Sequence, residues 1–496
     1  MIRLNVLING LHESAGWPVL ARGLRSFPIQ RCINITSSAL PPPLKTQEPI
    51  ELHTGSIEDI DWNLIPPLDE ELIEAMRSYE AVFLTMMNRN EGKGRFLSYA
   101  ARKREYLQYL RYWSHFMKSR EINLFISRSF PHRIRSYMLA SLCKLWNIPA
   151  LYFHQTSPIP ALYYLSWDYE TSIIGLPERF AELKKNPPPE NAPLPITLER
   201  YLRAQTGQEG DPTPWFVHTP PLSPKEEHRR QLYLLFKKRA AKIRSQLKKA
   251  LSKRMTGDYW SRAFRDRSRR RRAKTMFRFY DQNANVPDLS KRYIYLPLQL
   301  QPECTTCPMG GAYVDQILMV QMVSNLVPDD VLLYVKEHPN QERLFPDGAC
   351  RDISFYRDLL AMPNVRLVPR KFNTFELMEN AIAVATATGS AGFEGLFRGK
   401  PFLMFGHDYY QFAPGAYSIR SLEDCKRALH EVLVAEKKPT VSGMKLFLHA
   451  LGDTTVPGYL SPDMQEVSVA SQVECIENLG GMLERRIQES FDSHAS

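Results

Sequence analysis

Short apolar runs alternate with longer segments of helical period along most of the chain. In the first half this pattern predicts strands at residues 4–8, 81–85, 122–126 and 150–153. Apolar and aromatic positions at helical spacing predict helices at residues 97–119 and 134–146. Strands that alternate with helices are typical of βαβ units, so the first half is predicted to form a mainly parallel sheet.

The second half shows the same alternation more clearly. Five apolar runs predict strands at residues 293–296, 331–335, 365–368, 381–385 and 401–405. Helical segments separate most of these runs, which favours a doubly wound α/β domain. A helical tail over residues 465–491 follows, and we expect it to pack back across the N-terminal half.

The length of 496 residues indicates at least two domains. We expect an N-terminal Rossmann-like domain over residues 1–185 and a C-terminal one over residues 291–465. Residues 186–290 read as a proline-rich linker followed by a basic helical insertion, and residues 466–496 as the C-terminal helix.

Positive charge is concentrated in one segment. The whole chain carries a formal net charge of +11, but residues 225–278 hold 21 Lys and Arg against 4 Asp and Glu, a net charge of +17. The remainder is therefore mildly acidic, with a net charge of −6. Leucine and isoleucine between residues 232 and 251 predict an amphipathic basic helix, and Arg269 to Arg272 form a dense cationic cluster.

A basic segment of this kind attracts anionic surfaces. We expect Lys225 to Arg278 to bind the anionic inner face of a cell membrane without inserting into it. A solvated helix without a partner is the alternative. Nucleic acid is not an expected partner, because the sequence contains no recognised nucleic-acid-binding module and few interleaved aromatic residues.

Neither a signal peptide nor a transmembrane run of roughly 20 apolar residues is visible, so we expect a cytoplasmic protein. The seven cysteines are scattered, which favours reduced thiols. Cys304 and Cys307 have the spacing of half a zinc site. Because no second Cys or His pair follows at suitable spacing, we expect two loop cysteines and no metal.

The segment Val335-Lys336-Glu337-His338-Pro339 ends a predicted strand. In open α/β sheets, ligands bind at the carboxyl ends of strands. Lys336 and His338 are candidate phosphate ligands, and Pro339 is expected to end the strand and fix the turn. A solvated strand end with a surface histidine is the alternative interpretation.

The segment Thr388-Gly389-Ser390-Ala391-Gly392-Phe393-Glu394 joins a strand to a helix. Thr388 opens the turn, Gly389 allows close approach of a ligand, and Ser390 is expected to cap the helix. Glu394, about one helical turn later, is a candidate acceptor for ribose hydroxyl groups. A small-residue turn required only for packing is the alternative.

A third polar segment runs from Leu298 to Thr306, just after the strand at residues 293–296. Within it, Glu303 is a candidate nucleophile or general base, since a carboxylate can attack or stabilise an anomeric centre. A loop carboxylate or helix cap is the alternative. In the N-terminal half, His132 and His154 follow predicted strands and are candidate acid/base or acceptor contacts, or ordinary loop histidines.

Four motifs in one order resemble the capsule polysaccharide biosynthesis family, which includes Kdo transferases of bacterial capsules. The motifs are Leu-Pro-Leu-Gln-x-x-Pro-Glu at 296–303, Gly-Gly-x-Tyr-x-Asp-Gln at 310–316, Lys-Glu-His-Pro at 336–339 and Thr-Gly-Ser-x-Gly-Phe-Glu at 388–394. The resemblance implies a GT-B-like α/β fold, two Rossmann-like doubly wound domains facing a cleft. It also implies that His338 and Pro339, helped by Lys336 and Ser390, contact donor phosphate, and that Gln299 to Glu303 line the reacting centre.

The resemblance implies a glycosyltransferase that needs no cofactor and transfers a sugar from a nucleotide-sugar, CMP-linked in the Kdo case, to a lipid-linked or oligosaccharide acceptor. Kdo transferases of the family carry Asp where this chain has Glu303, which leaves the sugar open. CDP-polyol phosphotransferases and nucleotide-sugar 2-epimerases share the architecture. A membrane-associated assembly factor that has lost catalysis is the non-enzymatic alternative.

Overall fold

The structure is a computed structural model of the chain. It describes residues 3–11, 16–35, 51–53, 60–89, 97–214, 258–345, 348 and 350–492. Two sheets organise these residues, one built mainly from the first half of the chain and one from the second half.

The first sheet has seven strands in the order β13-β6-β5-β4-β1-β2-β3. The strands from β3 to β5 pair in parallel, whereas β6 is antiparallel to both β5 and β13. Parallel pairing with helical crossovers is the arrangement that the alternating pattern predicts. The strands are β1 (Leu4–Asn9), β2 (Ile29–Ile35), β3 (Glu51–His53), β4 (Leu124–Ser127), β5 (Ala150–Gln155), β6 (Leu162–Ser166) and β13 (Val456–Pro457).

Seven helices accompany this sheet in the described part of the first half. They are α1 (Gly16–Leu24), α2 (Glu70–Ala75), α3 (Arg77–Met86), α4 (Tyr99–Ser119), α5 (Ile134–Leu145), α6 (Leu176–Lys185) and α7 (Ile196–Gln205). Helix α4 begins where Ser98 accepts a hydrogen bond from the backbone N–H of Ala101. Its buried face includes Tyr106, Leu110 and Trp113, as the helical spacing predicts.

The predicted strand at residues 81–85 is wrong, since these residues lie inside α3. Phe83 and Met86 are three positions apart and both are buried, so the apolar run is one turn of a helix that packs on α4 and α5. A short apolar run has no periodicity of its own, and only the packing partner decides between the two structures.

The second sheet has six parallel strands in the order β12-β11-β10-β7-β8-β9. The chain starts in the middle at β7, extends to one side through β9, and then crosses to β10 on the other side of β7. This is the Rossmann order, and its switch point lies between β7 and β10. The strands are β7 (Arg292–Pro297), β8 (Val331–Lys336), β9 (Val365–Val368), β10 (Ala383–Thr386), β11 (Phe402–Met404) and β12 (Ala416–Ser418).

The remaining described helices are α8 (Asp258–Asn283), α9 (Ile317–Ser324), α10 (Gln341–Leu344), α11 (Ile353–Ala361), α12 (Thr374–Asn380), α13 (Ser390–Leu396), α14 (Leu422–Leu433), α15 (Val441–Thr454), α16 (Pro462–Gln465) and α17 (Gln472–Asp492). The predicted α/β class with two Rossmann-like units is confirmed by these elements and the two sheets.

The C-terminal segment returns to the first sheet. Strand β13 pairs with β6, so the chain rejoins the N-terminal half before residue 465, where the sequence places the boundary. Leu479 and Leu483 of α17 are buried in the same core as α1 and β1. The reason is that one face of the first sheet would otherwise expose its apolar side chains.

Most of the basic segment, including the predicted amphipathic helix at residues 232–251, lies outside the described residues. Its last part forms α8, whose Ala273, Met276, Phe277 and Tyr280 are buried in the core of the second sheet. The basic insertion is therefore anchored to the C-terminal half at its downstream end.

Candidate functional site

The three polar motifs of the second half follow β7, β8 and β10, which are neighbours in the sheet. Their positions at the carboxyl edge beside the switch point agree with the place where α/β sheets bind ligands. The 299–306 segment follows β7, the 336–339 segment ends β8 and the 388–394 segment follows β10. The sheet therefore places these three segments side by side although they are distant from one another in the sequence.

Gln299 connects the two strand ends at the switch point. Its Nε2 donates to Thr388 Oγ1 at 3.0 Å and its Oε1 accepts from the Thr388 backbone N–H at 2.8 Å. Thr388 Oγ1 donates in turn to the carbonyl of Thr305 at 2.7 Å. Both ends of the Gln299 amide thus hold Thr388, and this fixes the 299–306 segment against the start of α13.

Lys336 is a buried cation at the end of β8. The residue is 5% exposed, and its Nζ donates to Thr374 Oγ1 at 2.7 Å. In the described part of the chain no carboxylate forms an ion pair with it. Burial without a counterion lowers the pKa of Lys336 to about 8. An anionic group bound here would restore the electrostatic balance.

His338 presents a neutral imidazole beside Lys336. Its Nδ1 accepts a hydrogen bond from the Asn340 backbone N–H at 3.1 Å, so the proton of the neutral ring resides on Nε2. Burial lowers the pKa of His338, against the opposing effect of the Glu337 carboxylate. The ring can therefore donate one hydrogen bond to an anion. Pro339 follows it and is exposed.

Ser390 is the first residue of α13, and Glu394 lies one turn later on the same helix. Glu394 is 3% exposed, and its Oε1 has no hydrogen-bond partner among the described residues. Burial raises the pKa of Glu394 to about 7, although a hydrogen bond from Ser390 favours the ionised form. An unpartnered buried carboxyl oxygen is unfavourable unless a ligand hydroxyl supplies the missing donor.

The expectation that Ser390 caps α13 is wrong. The N-cap is Gly389, which makes no side-chain bond, and Ser390 is the first helical residue, so its hydroxyl reaches Glu394 one turn later. Gly389 has a φ of −75°, so its small size serves close approach to Thr386 and not an unusual backbone angle.

Glu303 and His132 meet across the two halves of the chain. His132 Nδ1 lies 3.4 Å from Glu303 Oε1, and both side chains are partly exposed. The same carboxylate oxygen accepts the backbone N–H of Cys304 at 2.8 Å. Partial burial lowers the pKa of His132, while the Glu303 carboxylate opposes that shift. A neutral imidazole oriented by a carboxylate is able to accept a proton.

Arg89 holds this pair in place and was not found by sequence reasoning. Its guanidinium donates to the His132 carbonyl at 2.6 Å and to the Cys307 carbonyl, so it joins the two halves beside the pair. The residue is only 6% exposed. Its sequence neighbourhood gave no signal, because a single arginine at the end of a helix is ordinary.

A buried polar network supports the 299–306 segment from below. Glu337 and Arg351 form an ion pair at 2.9 Å with side-chain exposures of 0% and 1%. Arg351 also donates to Gln301 Oε1 at 2.6 Å, and Tyr356 donates to Glu337 Oε2 at 2.6 Å. Sequence reasoning assigned no role to Glu337, because its ion-pair partner Arg351 is 14 residues away and a carboxylate beside His338 is expected to be solvated.

Two sequence candidates have packing roles in the structure. His154 packs against the Phe130 ring in a tilted arrangement with centroids 4.3 Å apart, and burial lowers the pKa of His154 to about 4. Cys304 and Cys307 are buried free thiols, as the loop interpretation expects, and burial raises the pKa of each to about 12. No cluster of three or more potential metal ligands occurs among the described side chains.

The helices that the structure describes include none with the length and apolarity needed to cross a membrane.

Comparison with curated proteins gives no match. Among solved structures, the KpsC β-Kdo 2,7-transferase of Thermosulfurimonas dismutans is 12% identical, with a TM-score of 0.31, over 75% of this chain and 88% of that one. The UDP-GlcNAc 2-epimerase of Methanocaldococcus jannaschii is 10% identical, with a TM-score of 0.26, over 90% of this chain and 98% of that one.

A family sequence model gives the more specific result. The model of the capsule polysaccharide biosynthesis proteins matches residues 192–431, which span α7, α8 and the whole of the second sheet. All four motifs of the resemblance lie inside this range. Residues 192–431 of the chain are thus similar to the capsule polysaccharide biosynthesis protein family.

Proposed function

We propose that the protein is a glycosyltransferase of capsule polysaccharide assembly that uses a nucleotide-sugar donor. The donor's phosphate is assigned to Lys336 and His338, with Pro339 shaping the turn. A buried ammonium ion and an imidazole N–H donor attract a phosphate group more strongly than they would in water, because the local dielectric constant is low.

Glu394 and Ser390 are proposed to recognise a hydroxyl group of the donor. The carboxyl oxygen without a partner accepts one hydrogen bond, and the Ser390 hydroxyl orients the carboxyl group. Thr388 and Gly389 form the wall between this pair and Gln299. Donor recognition would then use groups from all three strand ends.

The reacting centre is proposed at Glu303 and His132. The acceptor hydroxyl attacks the anomeric carbon, the bond from that carbon to the nucleotide phosphate oxygen breaks, and the nucleotide leaves. The acceptor's proton passes to neutral His132, and the Glu303 carboxylate stabilises the imidazolium that forms. Gln299 acts by holding the segment that carries Glu303.

One observation carries this proposal: among the described residues, Lys336 is buried without a carboxylate partner and Glu394 Oε1 is buried without a donor, and both lie at the carboxyl edge of one Rossmann sheet. Each is unfavourable in the free protein. A ligand that bears a phosphate and hydroxyl groups satisfies both, and a nucleotide-sugar bears both.

Thermal shift with a panel of CMP-Kdo, CMP-sialic acid, CDP-glycerol and UDP-GlcNAc tests donor binding, since a ligand that binds only the folded state raises the melting temperature. We expect stabilisation by one nucleotide class and its loss in His338→Ala. An exposed histidine, His430, supplies the control variant His430→Ala. Equal stabilisation of His338→Ala and wild type would contradict the donor assignment.

Product analysis separates the enzyme classes. A transferase releases nucleotide only when an acceptor glycan is present, whereas a 2-epimerase changes the sugar without an acceptor, and a polyol phosphotransferase consumes CDP-glycerol. Nucleotide binding without turnover of any donor would favour the assembly factor. A membrane-facing role for the basic segment and the identity of the acceptor remain parts of this proposal.

A further inference from the structure

A cavity in the first half of the chain is lined mainly by aromatic side chains. Its volume is about 320 Å³, at the lower end of the range of small-molecule sites, which is roughly 300–1,000 Å³. The lining comes from α3, α5, the start of β5, the segment after β6 and the end of α17. We call it the tyrosine cavity, because its rings are those of Tyr79, Tyr137, Tyr152, Trp167 and Tyr169.

The tyrosine cavity lies at the edge of the first sheet opposite the His132–Glu303 pair. Its residues 148–150 lead into β5, and residues 167–169 follow β6, which is antiparallel to β5. Both segments therefore lie at the amino end of β5. His132 instead follows the carboxyl end of β4, the parallel neighbour of β5. The cavity is consequently separate from the proposed reacting centre.

Three phenol groups of the tyrosine cavity are free to bind a ligand. Among the described residues, none forms a hydrogen bond with the hydroxyl groups of Tyr79, Tyr152 or Tyr169. Tyr152 is only 3% exposed, and its ring lies 5.9 Å from those of Phe125 and Phe130 between centroids, which fixes its position. Burial raises the pKa of both Tyr152 and Tyr169, so their hydroxyl groups stay protonated and can donate. A ligand with hydroxyl groups would supply the missing partners.

The charged groups of the tyrosine cavity already have partners within the protein. Lys144 is the one cationic residue in the described lining, and it pairs with Glu170 at 3.1 Å. Asp168 Oδ1 accepts hydrogen bonds from the backbone N–H groups of Glu170 and Thr171 at 2.8 and 2.7 Å. The described lining therefore offers a phosphate or carboxylate ligand no cation that lacks a carboxylate partner.

We propose that the tyrosine cavity binds one ring of a neutral sugar that belongs to an oligosaccharide or polysaccharide. The C–H faces of a sugar ring pack on aromatic rings, and its hydroxyl groups exchange hydrogen bonds with phenols. An aliphatic chain would fill the cavity and leave the phenols unbonded, whereas an acidic ligand would find no free cation. The proposal stands whether or not the protein transfers sugars, because the cavity is separate from the reacting centre.

Ligand-observed NMR with methyl β-glucoside, methyl β-galactoside and methyl N-acetyl-β-glucosaminide tests the proposal. Ala140→Phe fills the cavity from α5 without removing a polar group, and Ala100→Phe, at an exposed residue of α4, is the matched control. We expect at least one glycoside to bind wild type and Ala100→Phe equally, and its affinity for Ala140→Phe to fall about tenfold or more. Failure of all three glycosides to bind wild type, or equal binding by the two variants, would overturn the proposal.

Removal of single hydroxyl groups tests the same site without changing its packing. Tyr152→Phe and Tyr169→Phe keep the aromatic ring, so each should fold normally and weaken the bound glycoside about fivefold, the loss of one hydrogen bond. Tyr99→Phe, at a residue 70% exposed on α4, should leave the affinity unchanged. Wild-type affinity in both cavity variants would contradict recognition through the phenols.

Two further ligands check the chemical class. Cyclohexanol has a ring of the same size with a single hydroxyl group, so it should bind more weakly than the best glycoside, and equally tight binding would mean that the cavity recognises apolar surface alone. Methyl β-glucuronide should bind more weakly than methyl β-glucoside, because Lys144 is already paired with Glu170. Tighter binding of the glucuronide would overturn the assignment to a neutral sugar.

Discussion

At the scale of single residues, the candidate site is defined by groups whose hydrogen bonds or charges are incompletely satisfied within the chain. Among the residues that the structure describes, Lys336 has a hydroxyl partner but no carboxylate partner, and one oxygen of Glu394 has no donor. Each such group is buried at an unfavourable free energy. A ligand that supplies the missing partner removes this unfavourable contribution, and its binding is strengthened accordingly.

The pKa of Lys336 predicts the pH dependence of donor binding. With a pKa of about 8 in the free protein, the ammonium form that binds phosphate is lost as the pH rises through 8. We expect the dissociation constant of the bound nucleotide to rise about tenfold between pH 7 and pH 9. Titration calorimetry across this range measures it.

Lys336→Met should bind weakly and without this pH dependence. The exposed Lys291, at the opposite edge of the same sheet, provides the control variant Lys291→Met. If wild type and Lys336→Met lose affinity in parallel as the pH rises, another group is responsible for the dependence.

Glu394 predicts an effect of pH on stability. Burial raises its pKa from 4.5 to about 7, so the folded protein holds the proton more tightly than the unfolded chain does. Protonation of Glu394 therefore contributes to the free energy of unfolding. This contribution is fully present below pH 4.5 and is lost as the pH rises through 7. The Glu394→Gln variant has no such titration, so its stability does not fall with this group. The difference in free energy of unfolding between Glu394→Gln and wild type should therefore increase in favour of the variant by on the order of 3 kcal/mol between pH 5 and pH 8.

Urea denaturation at the two pH values checks this prediction. The exposed Glu423 of α14 offers the control variant Glu423→Gln, which should show no such trend. Donor binding by Glu394→Gln should be weaker in spite of the gain in stability, because the amide replaces an accepting oxygen. A stability difference that does not vary with pH would contradict the raised pKa.

At the scale of elements, α13 lies close enough to β11 that only glycine fits between them. A Cβ at Gly392 would overlap the ring of Phe402, which is fully buried in the strand. Gly392 lies midway between Ser390 and Glu394. Because it has no side chain, the helix that carries these two residues can pack directly against β11.

Gly392→Ala should consequently destabilise the protein by about 1–3 kcal/mol, the usual cost of overpacking a core. Since the displaced helix carries the site, donor affinity should fall as well. Gly481→Ala in α17 is the matched control, because the nearest atom to its added Cβ lies 3.7 Å away. Chemical denaturation and nucleotide titration of both variants provide the measurement, and similar behaviour of the two would refute the packing argument.

At the scale of the whole molecule, α17, near the end of the chain, packs against α1, near its beginning. Arg22 of α1 pairs with Glu477 and Glu484 at 2.7 and 2.6 Å, and Leu483 is fully buried against α1. The core of the first sheet is therefore completed by residues that follow the second sheet in sequence, and the two halves cannot be divided by a single cut.

Leu483→Ala should lower the free energy of unfolding by about 2–5 kcal/mol through the cavity that it leaves. We expect differential scanning calorimetry to show an earlier transition for the half that contains the first sheet. Val473→Ala, at a residue 72% exposed on the same helix, should leave the thermogram unchanged. An equally small effect of both changes would mean that α17 does not contribute to this core.

The amino-acid pattern alone predicts the α/β class, all five strands of the second half that were expected, and the identity of the polar segments that follow β7, β8 and β10. These are local properties, since repeated alternation of apolar runs with helical segments, and a glycine-rich turn, can be recognised without knowing their neighbours in the fold.

Which side chains contact one another depends instead on how the whole chain packs. Residues 81–85 became helix because α4 and α5 cover them, Glu337 became buried because Arg351 lies 2.9 Å away, and His132 reached Glu303 because the two halves pack together. Burial and pairing depend on residues far apart in sequence, so the charge, the pKa and the available hydrogen bonds of a side chain are fixed only when the whole chain has folded.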